Sequence, residues 1–240
     1  MRTSIGSPSG NGRQLATVFT GFYVVNVTQG GTVEIIEFEH PVARDLLTRL
    51  RDKCTDAPGF RLYSQRLASL LAMEATRDLR TAPVQVDTPL EATLGEMVQT
   101  PPVLVSFMRG GIPLIDAFLD FLPDSPVGFV APLEARREGK WSYSSIPRIE
   151  GRDVILLVPV LSTGKDAEEV VEHLFDGNAR SIALVCLLAS PEGIARLKRF
   201  GELAIITASM DRELDEDDQV KPGLGSFSQR LYASPEKGRD

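Results

Sequence analysis

The sequence predicts an α/β fold with a mainly parallel sheet and helices on both faces, and two observations carry that reading. The first is the run Val154-Ile-Leu-Leu-Val-Pro-Val-Leu161. It is almost wholly apolar, as a strand buried on both faces of a parallel sheet must be. The small polar turn Ser162-Thr163-Gly164 follows. Ala167, Val170, Val171 and Leu174 then recur at i, i+3, i+4 and i+7, the stripe of an amphipathic helix. The second observation is that strand-like and helix-like segments alternate from residue 103 onward, which implies crossover units. Such sheets bind ligands at the carboxyl ends of their strands, so the turns after Met108 and Leu161 come first. A turn of this kind can cradle a phosphate, because its N–H groups and the helix N-terminus converge on one anion. It is not a Walker A loop, since no glycine stands five residues before Gly164. An ordinary strand-to-helix connection is the alternative.

The elements follow in order. Residues 1–14 are rich in Ser, Gly and other polar groups, and disorder is expected there. Thr17 to Val27 is β-rich, Gly30-Gly31 marks a turn, and Val33 to Phe38 reads as a second strand. Pro41 opens a helix over Val42 to Lys53 with Val42, Leu46, Leu47 and Leu50 on one side. A long helix is expected from Phe60 to Leu79, and a Pro-punctuated strand or flap from Thr81 to Thr100. Val103 to Met108 reads as a strand, Gly110-Gly111 as its turn, Ile112 to Phe121 as a helix and Val127 to Val130 as a strand. Glu134 to Ser145 is polar and charged, a loop or hairpin. Strand 154–161, helix 166–175, strand Ile182–Leu188, helix Pro191–Phe200 and strand Leu203–Thr207 complete the alternation.

Composition bounds the function. The 240 residues suffice for one substantial core. A formal net charge of -7 with no basic run argues against a nucleic-acid partner. Cys54 and Cys186 give no disulfide framework and suit a reducing cytoplasm. Cys186 reads as a core thiol, and nothing beside Cys54 marks a nucleophile. Two distant histidines, His40 and His173, make a His-rich metal site improbable and read as ordinary structural or surface groups. No apolar run is long enough to span a membrane, and no signal-peptide core opens the chain.

Several short motifs then occur in a telling order: His40-Pro41, Glu74-Ala-Thr76, Met108-Arg-Gly-Gly-Ile112, Leu161-Ser-Thr-Gly164, Ala189-Ser-Pro-Glu-Gly-Ile194, Thr207-Ala-Ser-Met-Asp211 and Pro222-Gly-Leu-Gly225. In this order and spacing, from about Val33 to Tyr232, the chain resembles the uracil phosphoribosyltransferase family. The resemblance implies a type I phosphoribosyltransferase fold with a β-hairpin hood. It divides the chain into an N-terminal extension, 1–32, and a domain, 33–240. It also implies transfer of a phosphoribosyl group from phosphoribosyl pyrophosphate to uracil, usually with Mg2+, in a cytoplasmic salvage enzyme that associates as a homodimer. Such chemistry needs N–H groups for the 5′-phosphate, a carboxylate for the ribose hydroxyls, cations for the departing pyrophosphate and polar groups for the base edge.

By that resemblance Ser162, Thr163, Gly164, Lys165 and Asp166 would hold the phosphate. Arg109 and Gly110 would meet pyrophosphate, with Arg109 the catalytic candidate because a guanidinium fork suits that oxyanion. Lys221, Pro222, Gly223 and Gly225 would face the base. Other matching positions have changed. Val158 stands where the family's loop has a ribose-binding aspartate, and Lys165 and Asp166 replace small residues. Val130-Ala131 matches a Tyr-Arg pair, and Ser226 and Gln229 replace the flap acids. Arg136, Arg137 and Lys140 of the hood could supply the missing cations or form a solvated charge run. Asp166 could equally be a helix N-cap, and Trp141 and Tyr143 either stack on a planar ligand or make a lid contact. The acidic run Glu213 to Asp218 could bind Mg2+ or stay solvated. Three readings follow: a transferase of this type with weak or lost canonical activity, a relative repurposed to other small-molecule chemistry, or a silent nucleotide-binding regulator.

Overall fold

The computed structural model describes residues 16–20, 23–27, 33–131 and 141–233. The disorder expected over residues 1–14 and the hood cations Arg136, Arg137 and Lys140 lie outside the described residues. The chain opens with β1 (Ala16–Thr20), β2 (Tyr23–Val27) and β3 (Glu34–Phe38), then helices α1 (Pro41–Arg51) and α2 (Ala57–Ala75). The hairpin β4 (Thr81–Asp87) and β5 (Ala92–Val98) comes next, then β6 (Val103–Phe107), α3 (Ile112–Leu119), β7 (Val127–Ala131) and β8 (Tyr143–Ser145). The second half runs β9 (Asp153–Leu157), β10 (Val160–Leu161), α4 (Lys165–Asp176), β11 (Ser181–Cys186), β12 (Leu188–Ala189), α5 (Pro191–Leu197) and β13 (Leu203–Thr207). It closes with β14 (Glu213–Leu214), β15 (Val220–Lys221) and α6 (Phe227–Tyr232).

Among the described residues, nine strands form the main sheet in the order β1-β2-β3-β13-β11-β9-β6-β7-β8. The strands from β3 across to β7 are parallel, and β1, β2 and β8 add antiparallel edges. This is the expected class, a mainly parallel α/β sheet with helices on both faces. Side chains alternate faithfully along the central strand. Ile155 and Leu157 join the core layer of α1, α2, α3 and α6, whereas Val154, Leu156 and Val158 join the layer of α4 and α5. The period-two geometry of a strand thus places Val158 on the α4 side, at the carboxyl end of the sheet.

Several expected boundaries move, each for a local reason. The strand expected over 154–161 is two strands. Pro159 has no N–H for a ladder, so the chain leaves the main sheet there, and β10 pairs in parallel with β12 in a separate two-stranded sheet. The strand expected over 182–188 divides at Leu187 to follow it. Helix α2 starts earlier than expected because Asp56 caps it, accepting from Gly59 N at 2.9 Å. It ends at Ala75 and not Leu79, where Thr76 Oγ1 donates to Ala72 O and the chain turns. Helix α1 starts one residue early, at Pro41, and stops at Arg51, short of Lys53. Helices α3 and α5 end at Leu119 and Leu197, short of Phe121 and Phe200. The segment 81–100 is a hairpin in its own two-stranded sheet. The early β-rich segment adds two strands beside β3, at the opposite edge from the β7–β8 pair, so it extends the sheet and not the hood.

One long-range ion pair closes the fold. Arg51, the last residue of α1, donates to both oxygens of Asp211 at 2.5 and 2.8 Å and to Gly223 O at 3.0 Å. Gly223 N also donates to Asp211, at 2.8 Å. The Asp211 side chain is 4% exposed. Removing one partner of a buried pair strands the other charge. Arg51→Met is therefore expected to lower the unfolding free energy by about 3–5 kcal/mol in urea titration. Arg51→Met with Asp211→Asn should restore part of it, and an unchanged midpoint in the single variant would show that the pair is not needed.

Candidate functional site

The carboxyl ends of β6 and β9 border a cavity of about 270 Å³. It is lined by Phe107, Met108 and Gly110, by residues 158–167, and by Phe227 and Ser228 of α6, which touch Gly110. Residues 110 and 162–166, expected at a phosphate site from sequence, thus meet at one cavity. Val158, 7% exposed, is part of both its lining and the core.

The turn 162–164 is shaped by its neighbours. Gly164 lies at φ 74°, in the left-handed region, and is the N-cap of α4. Asp166 is therefore not the cap but a first-turn residue, exposed, whose carboxyl lies near the positive end of the helix dipole. A Cβ on Gly164 would lie 2.9 Å from Gly193 O. The carbonyls of the turn are bonded by residues at and within α5. Leu161 O accepts from Ser190 N at 2.9 Å, Ser162 O from Ser190 Oγ at 2.6 Å, and Thr163 O from Arg196 Nε at 2.8 Å. With its carbonyls held there, the turn can offer N–H groups to an oxyanion. Thr163 Oγ1 accepts from Lys165 N at 3.4 Å.

The motif Ala189-Ser-Pro-Glu-Gly-Ile194 supplies the partner of this turn. Ser190 before Pro191 was a readable helix-start signal. That this start abuts the phosphate turn was not readable, since the two are far apart in the chain. Ser190 Oγ also caps α5, accepting from Gly193 N at 2.9 Å. Gly193 is required by contact, because a Cβ there would lie 2.4 Å from Ser162 O.

The remaining residues singled out in the sequence lie outside that cavity. Arg109 is exposed and does not line the cavity. Its guanidinium lies 5.7 Å from the Tyr232 ring centroid, and its carbonyl accepts from Tyr232 Oη at 2.8 Å. Pro222, Gly223 and Gly225 border a second cavity of about 400 Å³, with Arg51, Lys53 and Arg230, and Lys221 is exposed beside them. Trp141 is edge-on to His173 at 5.1 Å, a packing contact on α4. His40 Nδ1 accepts from Val42 N and caps α1. The Cys186 thiol is buried, which pushes its pKa up to about 12, so it is no nucleophile. In the acidic run, Asp215 Oδ1 accepts from the amides of Asp217 and Gln219, and these bonds hold its carboxyl below the usual range. Among the described residues, no group of three or more His, Cys, Asp or Glu is arranged for a metal ion. Asp166 is the sole carboxylate among the described cavity-lining residues, so they do not form a Mg2+ cage.

Comparison with known proteins agrees with the motifs. The uracil phosphoribosyltransferase family profile matches residues 37–234. A uracil phosphoribosyltransferase of Kineococcus radiotolerans is 36% identical over 202 residues, covering 81% of this chain and 96% of that protein. One from Streptomyces griseus is 37% identical over 207 residues, covering 82% of this chain and 97% of its own. Among solved structures, the AQ2163 protein of Aquifex aeolicus superposes with a TM-score of 0.78 at 27% identity, over 84% of this chain and 99% of that one.

The contact between α5 and the turn generates a stability prediction. Ser190→Ala should cost about 1–2 kcal/mol through the lost cap. Gly193→Ala should cost about 1–3 kcal/mol by overpacking. Both should move the amide NMR signals of residues 162–164. Unmoved signals in both variants would mean that the turn does not depend on α5.

Proposed function

Because the chain belongs to the uracil phosphoribosyltransferase family, we propose that it is a transferase of that type whose synthesis of uridine monophosphate from uracil is weak or lost. In this reading a phosphorylated ribose or nucleotide enters the cavity with its phosphate on the N–H groups of 162–164. Lys165, on the cavity wall, offsets the Asp166 carboxylate beside it. Arg109 meets the pyrophosphate, and the flap residues 221–225 meet a planar nitrogenous acceptor. Mg2+, where present, enters on the substrate's phosphates. Two free cysteines fit a cytoplasmic protein, and among the described residues no helix is long and apolar enough to cross a membrane.

The observation that carries the reading is Val158. An isopropyl group, buried and lining the cavity, occupies the position that the resemblance assigns to the ribose carboxylate. A charge-assisted hydrogen bond contributes roughly 1.5–3 kcal/mol, and each ~1.4 kcal/mol is tenfold. Two such bonds from the ribose diol would be missing. A second reading, repurposing to another small phosphorylated substrate, is favoured by the apolar remainder of the cavity, where Phe107, Val158, Val160 and Phe227 would suit a less hydroxylated ligand.

A homodimer is proposed as well. The β4–β5 hairpin exposes Leu90 at 96%, Leu94 at 75% and Met97 at 63%, and an isolated two-stranded hairpin is marginal alone. The contact expected at residues 17–38 is joined in this proposal by residues 81–98. Light scattering should give about twice the 26.2 kDa chain mass. Leu90→Glu with Leu94→Glu should give the single mass, and a monomeric unaltered protein would end the proposal.

The activity proposal is tested by turnover of uracil with phosphoribosyl pyrophosphate. Rates well below the roughly 1–1000 per second of ordinary enzymes are expected. Val158→Asp should raise whatever remains. Robust turnover by the unaltered chain would show that Val158 is no handicap.

A further inference from the structure

We propose that Tyr232 is a positioning residue for the anion-binding turn 108–111, acting through Arg109; this rests on the reading that Arg109 meets pyrophosphate. Tyr232 is the last residue of α6 and lies 36% exposed, so its ring is not a core element. It holds both ends of Arg109. Its hydroxyl donates to the Arg109 carbonyl at 2.8 Å, and its ring lies 5.7 Å from the guanidinium carbon. That distance is within the reach of a cation–π contact. Within the turn, Gly111 N donates to Phe107 O at 2.9 Å, and Ile112 N reaches Arg109 O at a longer 3.3 Å. These bonds close the turn on itself without fixing it against a neighbouring element.

Helix α6 supplies that fixation. A Cβ on Gly110 would lie 3.0 Å from Ser228 Oγ and 3.4 Å from Phe227. Ser228 and Tyr232 are four residues apart, so they share a helix face. That face meets Gly110 at one end and Arg109 at the other. The same helix follows directly from the flap residues 222–225. A ligand that settles the flap therefore also settles the support on which Arg109 rests. The guanidinium is ordered on the Tyr232 ring before any anion arrives, which lowers the ordering cost of capture.

Isothermal titration with pyrophosphate tests this in a double-mutant cycle of Tyr232→Phe and Arg109→Ala. Tyr232→Phe keeps the ring and removes only the hydroxyl. It should weaken pyrophosphate binding about three- to tenfold, the worth of one hydrogen bond, with little change in melting temperature. In the Arg109→Ala background the carbonyl bonded by Tyr232 remains but the guanidinium is gone, so the same change should have almost no effect on affinity if Tyr232 acts by positioning that guanidinium. A purely structural tyrosine would lower the melting temperature and weaken both backgrounds equally. If Arg109→Ala weakens binding while Tyr232→Phe binds as tightly as the unaltered chain or more so, the positioning role is overturned and the reading of Arg109 stands. If the unaltered chain does not bind pyrophosphate, or Arg109→Ala binds it unchanged, the reading of Arg109 falls and the inference with it.

Discussion

The contact between the start of α5 and the turn 162–164 is the constraint on which the site depends. A backbone turn has as many carbonyls as N–H groups, and it becomes an anion cradle only if the carbonyls are satisfied elsewhere. Here three successive carbonyls, of residues 161–163, are taken by Ser190 and Arg196. The approach is so close that neither Gly164 nor Gly193 tolerates a Cβ without displacing backbone. Pro159 contributes from the other side. By ending the main-sheet ladder it lets β10 swing to β12, which delivers the turn to α5. Sheet break, minor sheet and close packing are consequences of one requirement.

The charge around that turn is nearly balanced. Asp166 places a carboxylate on the cavity wall, and Lys165 beside it returns the local balance to near zero. Arg196 is close by but committed, donating to Thr163 O and paired with Glu168. Glu168 is in turn shared with Arg199. An anion at this turn would therefore meet oriented N–H dipoles and Lys165 more than a surplus of positive charge. Dipoles buried in place are screened by salt less than exposed charges are.

Much of this was legible in the sequence. The apolar run 154–161 announced a central strand, and its continuation into an amphipathic stripe announced the turn and α4. Their positions hold because they rest on local periodicity. The break at Pro159 was legible too, since proline has no ladder hydrogen, but an apolar run reads as continuous when periodicity alone is followed. Asp166 read as a cap because residue type favours it, whereas the left-handed Gly164 took that place. Ser190, Tyr232 and the pairing of Arg51 with Asp211 were not legible as partners. Each acts on a residue remote in the chain, and a single sequence carries no record of such contacts. Arg109 falls at the turn as its place after the strand implied, yet its contact with Tyr232 is one that periodicity cannot supply.

Segment 222–225 is anchored by Arg51, Asp211 and Arg230. Arg51 and Asp211 hold Gly223 from one side. Arg230 holds it from the other, donating to Leu224 O at 2.9 Å and to Leu50 O and Asp52 O at 2.5 Å, with its guanidinium 4.3 Å from the Phe60 ring. These bonds tie the flap to the end of α1 through main-chain carbonyls, which any sequence supplies. Ser226 and Gln229 border the flap cavity, and no side-chain bond from Ser226 caps α6. Substitution there changes what a ligand meets and leaves the scaffold's bonds untouched. The same separation holds at Val158, which packs in the α4 core layer and also lines the cavity. The frame and the cavity-facing surface are thus held by different atoms, so a substitution at the second leaves the bonds of the first in place.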